Sequence, residues 1–364
     1  MIRIQNVDTI DSPALILDIE TVAQNISAAV AMSGDVERLR PHVKTHKTQE
    51  VAAMMLGAGI RKFKCATIAE AEMLALAGAP DIMLAYQPTG PKIARLLHLI
   101  GQYPQSRFSC LVDNAATVGE LASASEALSL KLDLAIDVNV GMNRTGARPE
   151  KVSALAEQIA ALDSLRLVAL HGYDGHIHHP DPEVRRIEAD ASFALLHGAL
   201  KSIKAPHEDI KLVAGGTITF PNHIQREQTE CSPGTFVFWD EGYRRLMPEL
   251  PFRCAAFLLS RVVSVVDDKH ICIDLGYKSV ASEKPLPRVH LIAVPEAKPI
   301  AHSEEHLVVE TPNSRLYPVG AIIFGIPEHI CPTVALYEKL HILSNGMIEK
   351  SWKVIARARD LSNS

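Results

Sequence analysis

Between residues 37 and 237 the chain repeats one pattern eight times: a short strand-like run closed by turn residues. The runs fall at 37–43, 61–66, 81–86, 107–112, 132–138, 166–172, 210–214 and 230–237. Between most of them lie stretches rich in Ala, Leu and Glu with helical spacing, such as 68–78, 115–127 and 149–162. A switch between strand-like runs and a period of 3.6 residues marks alternating strands and helices. That alternation implies a parallel sheet. Eight strands imply closure into a (β/α)₈ barrel, against a doubly wound open sheet as the competing arrangement.

The pattern changes after about residue 245. Runs at 254–266, 270–274, 305–310, 320–324 and 340–344 read as strands, joined by turns containing Pro and Gly with almost no helix. The chain thus reads as an α/β barrel over 20–245 and a smaller, mainly β domain made of 1–19 and 246–364. Residues 14–18 (ALILD) are placed to join the sheet of that second domain, and a helix over 20–33 leads back to the barrel.

Charge and composition narrow the function classes. The 364 residues carry a net charge of −5 without long runs of one sign, which argues against a nucleic-acid face. No apolar run reaches the roughly 18 residues that a membrane span needs, and the N-terminus lacks the features of a secretory signal. Six cysteines are scattered with no CxxC pair, as expected of a reduced, cytoplasmic protein.

In a (β/α)₈ barrel, chemistry gathers where the strands end. The first strand runs into Arg40-Pro-His42-Val-Lys44-Thr-His46-Lys47. The fifth leads to Asp137 and on to Asn143-Arg144-Thr-Gly146, and the sixth to His171-Gly-Tyr173-Asp174-Gly-His176-Ile-His178-His179. The seventh ends in Gly215-Gly216-Thr217, and the eighth carries Ser232-Pro-Gly234-Thr235. A lysine attacks a carbonyl as the neutral amine, and cations such as Arg40 and Lys47 would favour that form of Lys44. The plain alternative is a surface lysine. Gly216, Thr217, Gly234 and Thr235 offer bare N–H groups and hydroxyls suited to a phosphate, at the late strands where barrels often bind one. Otherwise these glycines only make turns. His329 and Cys331, in Glu328-His-Ile-Cys-Pro332, stand at i and i+2 and point to one side of an extended segment. Both suit a borderline-soft metal, and two ligands suit an open site completed by water and substrate. Without a metal they are an incidental histidine and a buried thiol.

These stretches together resemble the D-threonine aldolase and D-serine dehydratase family, pyridoxal-phosphate enzymes with an alanine racemase-like barrel (fold-type III). The resemblance runs from SPALILD through RPHVKTHK, IDVNVGMNRTG, GYDGHIH, GGT and SPGTFVFWD to LGYKSVASE, SEEHLVVE and EHICPTVAL. It implies that Lys44 is the Schiff-base lysine and that Arg144 bonds the pyridine nitrogen of the cofactor. It further implies that Tyr173, Gly216, Thr217, Gly234 and Thr235 hold the cofactor phosphate. His329 and Cys331 match the paired ligands of a catalytic divalent metal, zinc or manganese. The second ligand is typically Asp in the aldolases and Cys in the D-serine dehydratases, and here it is Cys. His179 stands six residues after Tyr173, where the aldolases place their base, with His176 and His178 close enough to compete.

The expected function is a lyase on small D-configured β-hydroxy amino acids, acting as a homodimer. Retro-aldol cleavage to glycine and an aldehyde is the leading reading. Dehydration of D-serine or D-3-hydroxyaspartate to an oxo acid and ammonia is the alternative. Racemisation would need a second base, for which Tyr277 or Tyr337 is available, but has no use for a metal pair. A non-catalytic cofactor-binding barrel would need neither the second domain nor the metal motif.

Overall fold

The structure is a computed structural model that describes residues 4–204, 209–294 and 296–361. It divides into two compact units: Ala29–Lys44, Gln49–Gly234 and Ala358–Ser364 form the larger, and Met1–Ala28, Thr45–Thr48 and Thr235–Arg357 the smaller.

The smaller unit contains strand β1 (Ala14–Asp18), from which helix α1 (Ile19–Ser33) leaves. In the larger unit, β2 (Lys62–Cys65), β3 (Asp81–Leu84), β4 (Arg107–Val112), β5 (Leu132–Asp137), β6 (Leu165–Gly172), β7 (Lys211–Ala214) and β8 (Thr229–Cys231) lie in one parallel sheet in chain order. The segment before β2 closes this sheet. Leu39 bridges Cys231 of β8, and His42 bridges Lys64 of β2, both in parallel. The expected first strand, 37–43, is therefore reduced to two bridges. Pro41 between them has no N–H to donate to a ladder, and short 3₁₀ turns occupy Val36–Arg38 and Val43–Thr45 on either side. The eighth run is likewise shorter than 230–237: β8 ends at Cys231, and Thr235–Val237 form a 3₁₀ turn.

The helices α2 (Gln49–Gly57), α3 (Ile68–Leu76), α4 (Pro91–Gln102), α5 (Ala115–Ala127), α6 (Val152–Ala160), α7 (Pro182–Ser202) and the short α8 (Phe220–His223) alternate with the strands. Each starts and packs for local reasons. In α5 the Asn114 side chain accepts from Thr117 N–H at 2.9 Å, satisfying one of the free first-turn donors. In α4 Ile93, Leu96, Leu97 and Leu99 form the buried stripe.

Successive side chains of a strand alternate between faces, and this sorts the barrel interior into layers. The middle layer is apolar: Met83, Leu111, Ala135, Ala169 and Val213 form one buried cluster. One step towards the strand starts lies an ionic layer. There Arg40 bonds Glu230 at 2.6 Å and Asp81 at 2.5 Å, and Asp133 accepts from Arg107 and Arg166. One step towards the strand ends stand Lys64, Asp137 and His171. β2 shows the logic in miniature. Its residues Lys62 and Lys64 are two apart, so both point inward, the first to Glu230 of the ionic layer and the second to His171.

The smaller unit continues with α9 (Glu241–Leu246), β9 (Ala256–Val265), β10 (His270–Ile273), β11 (Val289–Ile292), β12 (Lys298–His302), β13 (Leu307–Glu310), β14 (Ile322–Pro327), α10 (Ile330–Leu336), β15 (Lys339–Ser344) and β16 (Met347–Lys353). They form one sheet in the order β12-β13-β10-β9-β1-β15-β16, with β14 also on β9 and β11 on β14. β1 runs antiparallel to β9 and parallel to β15. Alternate residues Ala14 and Ile16 of β1 join Phe257 and Leu259 of β9 in its core.

Candidate active site

Lys44 sits in the turn that follows the first barrel segment, half-buried, with its N–H donated to His42 Nδ1 at 3.2 Å. It lines a cavity of about 520 Å³ at the strand ends, together with His42, Tyr86, Gln87, Asp113, Asp137 and Arg144. Three cationic groups converge on one aromatic ring there. Arg144 Cζ, Lys44 Nζ and Lys64 Nζ lie 5.0, 5.6 and 5.9 Å from the centroid of Tyr173.

The neighbouring carboxylates are already engaged. Asp137 accepts from His171 Nδ1 at 2.7 Å and from Thr145 Oγ1 at 2.8 Å. Asp174 meets His223 Nε2 at 2.6 Å and accepts from Thr219 Oγ1 at 2.8 Å. The cluster thus suits an anionic ligand carrying a carbonyl, with Lys44 as the attacking amine. Pyridoxal phosphate has that chemistry.

The glycine turns are shaped around Tyr173. A Cβ on Gly216 would stand 2.9 Å from Tyr173 Cε2, and one on Gly175 2.3 Å from Tyr173 Cε1. Gly215 has φ of +71°, and a Cβ there would meet the His223 ring at 2.4 Å and Thr219 Oγ1 at 2.6 Å. Gly216 N–H donates to Thr219 Oγ1 at 3.3 Å, and Gly234 N–H to Thr217 Oγ1 at 3.0 Å. The expectation of bare N–H groups is thus corrected at Gly216 and Gly234, each of which donates to a threonine hydroxyl. Thr235 lies in the other compact unit, where its hydroxyl is 3.4 Å from Cys331 Sγ.

Of the two cations expected beside Lys44, Arg40 and Lys47, the first is corrected by its side-chain direction. Arg40 turns inward to the ionic layer, where burial opposes its charge but Glu230 and Asp81 hold it firmly. The cations that share the Tyr173 ring with Lys44 are Arg144, already expected in the site, and Lys64, which sequence reasoning passed over as part of an ordinary strand. The available signal was Lys-x-Lys in a short parallel strand, which puts two charges on one face. Burial, and then the like charge of Lys44, push the Lys64 amine down to about 7.

His178 and His179 are exposed and do not line the cavity. His178 Nδ1 lies 2.5 Å from the carbonyl of His176, so Nδ1 carries a proton and donates it to that bond, which leaves Nε2 outside it. His179 Nδ1 accepts from Asp181 N–H at 3.1 Å, which leaves the proton on Nε2. Of the two, only His178 presents a basic nitrogen away from the turn.

In the smaller unit His329 is the N-cap of α10 and Cys331 lies in its first turn, so the segment is not extended as expected. The two side chains nevertheless meet. Burial lowers the His329 pKa, but contact with Cys331 and Glu283 outweighs it, raising it to about 9. Glu283 Oε1 is 2.5 Å from His329 Nδ1, which directs Nε2 away from Glu283. Cys331 Sγ is flanked by the hydroxyls of Thr45 and Thr235 at 3.2 and 3.4 Å. One imidazole and one thiol in contact fit two ligands of a soft divalent metal. Among the described residues no group of three or more His, Cys, Asp and Glu is arranged to hold an ion.

The alanine racemase N-terminal domain matches residues 17–241. The chain belongs to that family. A putative serine dehydratase domain matches residues 255–343. The D-threonine aldolase of Arthrobacter sp is 29% identical over 96% of this chain and 93% of its own length. The 3-hydroxy-D-aspartate aldolase of Paracoccus denitrificans (strain Pd 1222) is 27% identical over 96% and 93%. The crystal structure of D-threonine aldolase from Filomicrobium marinum superposes with a TM-score of 0.90 at 25% identity, covering 98% of both chains. The barrel and β-domain architecture is that of these fold-type III relatives. Among the described residues no helix is long and apolar enough to cross a membrane.

Proposed function

We propose that this protein is a pyridoxal-phosphate lyase that cleaves D-configured β-hydroxy amino acids between Cα and Cβ, giving glycine and an aldehyde. The observation that carries the reading is the convergence of Lys44, Arg144 and Tyr173 at the strand ends of an alanine racemase-type barrel. Likeness to a D-threonine aldolase and a 3-hydroxy-D-aspartate aldolase over 96% of the chain supports the substrate class.

When bound, pyridoxal phosphate supplies an aldehyde that takes up an amine and an electron sink for the bond that breaks. Lys44 would be the amine that anchors it and gives way to the substrate amine. Arg144 would bond its ring nitrogen, and Gly216, Thr217, Gly234 and Thr235 with Tyr173 would hold its phosphate. One of the histidines after Tyr173, His176, His178 or His179, would remove the β-hydroxyl proton, the step that releases the aldehyde. His329 and Cys331 would hold a divalent metal, zinc or manganese, which would acidify that hydroxyl. The reading also includes a homodimer, a cytoplasmic setting, and the division of the chain into a 20–245 barrel and a β domain of 1–19 and 246–364.

The thiol ligand favours a second branch, dehydration to an oxo acid and ammonia, with Lys44 taking the Cα proton. Product analysis separates the two. The protein is incubated with D-threonine, D-serine and D-3-hydroxyaspartate and assayed for glycine, then for pyruvate, 2-oxobutyrate or oxaloacetate. Glycine from at least one substrate, lost in Lys44→Ala, is expected. Oxo acid without glycine from all of them would overturn the aldolase reading in favour of the dehydratase one.

A further inference from the structure

Lys64, the second lysine of β2, has no role in the reading above, yet it is a buried amine at the strand ends of the barrel. Lys64 is 2% exposed. Its Nζ lies 3.2 Å from His171 Nε2, and His171 Nδ1 lies 2.7 Å from Asp137 Oδ1. The ring must give its proton to one side. Asp137 is an acceptor, held as the anion against the effect of burial by its bonds to His171 and Thr145. His171 therefore carries its proton on Nδ1 and offers a bare Nε2 to Lys64. Burial and the neighbouring Lys64 charge both keep the imidazole itself from taking a second proton. The chain Lys64–His171–Asp137 is thus a bracket that fixes the direction of one amine, and the proton it can lose is on Lys64.

The charged groups around that amine come from several elements. Lys44 follows the first barrel segment, Arg40 lies within it, Asp137 ends β5, and Asp174 follows β6. Arg144 acts on the His171 link. Lys44 is the strongest of these influences after burial itself. Repulsion between two amines is mutual, so a proton on Lys64 opposes a proton on Lys44 as much as the reverse.

We propose that Lys64, bracketed by His171 and Asp137, is a positioning residue for Lys44, and that its removable positive charge sets how much of the Lys44 amine is free to attack the cofactor. The inference rests on the pyridoxal-phosphate reading. When Lys64 is charged, that charge opposes a proton on the Lys44 amine. When Lys64 loses its proton at higher pH, that opposition disappears. The effect is to flatten the pH dependence of cofactor attachment.

The test uses full-length cofactor-free protein at saturating pyridoxal phosphate, so that binding drops out and only the attachment step is timed. Borohydride quenching and peptide mass mapping give the rate of attachment at Lys44. Wild type is compared with Lys64→Met, which is never charged, and Lys64→Arg, which always is. At pH 6 Lys64→Met is expected to be slower than wild type by at least about tenfold, the effect of a like charge about 12 Å away at an effective dielectric constant of about 20, the widest separation that the shared Tyr173 ring allows, while Lys64→Arg keeps the wild-type rate. At pH 8.5 wild type is expected to approach Lys64→Met, and Lys64→Arg to exceed both. A purely structural lysine would instead change the rate by one factor at every pH, and that outcome overturns the proposal.

A second readout is independent of the cofactor. In protein labelled with ¹³C-lysine, the Lys64 resonance, identified by its loss in Lys64→Arg, should titrate near pH 7. An ordinary lysine titration would overturn the proposal even with a fully active enzyme. Attachment elsewhere than Lys44 would overturn the cofactor reading itself, whatever Lys64 does.

Discussion

His223 Nε2 lies 2.6 Å from Asp174 Oδ2, and each side chain is only 2% exposed. The pair stands behind the Gly215–Gly216 turn: Thr219 bonds Asp174, and the His223 ring fills the space where Gly215 has no side chain. Breaking one member leaves the other buried without its partner. Asp174→Ala is expected to destabilise the protein by about 3 kcal/mol and to weaken pyridoxal-phosphate binding, because the turn loses its backing. Chemical denaturation and a cofactor titration measure the two effects. Unchanged affinity in a folded variant would separate this pair from the phosphate site.

Tyr173 is confined by backbone on both sides. Gly216→Ala places a methyl 2.9 Å from its ring, and Gly175→Ala one at 2.3 Å. Overpacking of this kind costs about 1–3 kcal/mol. The ring is expected to move, and with it the platform shared by Lys44 and Arg144. Both variants should bind pyridoxal phosphate at least tenfold more weakly, Gly175→Ala the more so. Gly198→Ala, at a helix position with nothing within 4 Å of the new methyl, is the control that should leave affinity unchanged.

Much of the barrel was legible because its signals are local. Strands 107–112 and 132–138 appear almost as read, since apolar runs closed by turn residues leave little choice. The motif residues Lys44, Arg144 and Tyr173 come together because each follows the end of a barrel segment. What the sequence concealed lies in the direction of side chains. Arg40 and Lys44 are four residues apart, yet Arg40 is drawn into the ionic layer by Glu230 and Asp81, partners 190 and 41 residues away. Lys64 gains its role from His171, 107 residues on. Neither pairing leaves a mark in local spacing. In the second unit β11, β12 and β16 were not read as strands. β12 is mostly exposed, and β16 is Lys- and Glu-rich with few buried residues, so neither shows a strong apolar run.

The contact between His329 and Cys331 predicts how metal and cofactor losses divide. The Lys44 cavity is lined by residues of the larger unit, whereas both metal ligands belong to the smaller. Cys331→Ser and His329→Ala are therefore expected to lose most of the bound zinc or manganese in elemental analysis while retaining a stoichiometric amount of pyridoxal phosphate. A chelator should reproduce the loss of lyase activity, and added metal should restore wild type but not the variants. Activity unaffected by exhaustive chelation would remove the metal from the mechanism.

Lys64 also predicts how stability changes with pH. Its amine is held at about 7 in the folded protein against 10.5 in an ordinary lysine. Between those values the unfolded chain binds a proton that the folded protein does not, so this group makes stability rise with pH. Below pH 7 both states are protonated and the full burial penalty is felt; above 10.5 neither is, and it vanishes. Lys64→Met never pays that penalty but loses the bond to His171 at every pH. Relative to wild type it should therefore look best near pH 6.5 and lose that advantage by about 1.4 kcal/mol per pH unit on the way up. Denaturant midpoints for both proteins at pH 6.5, 8 and 9.5 measure the difference. A difference that stays constant across that range would mean that Lys64 keeps its proton in the folded state, and that its bonds to His171 offset burial more fully than the geometry indicates.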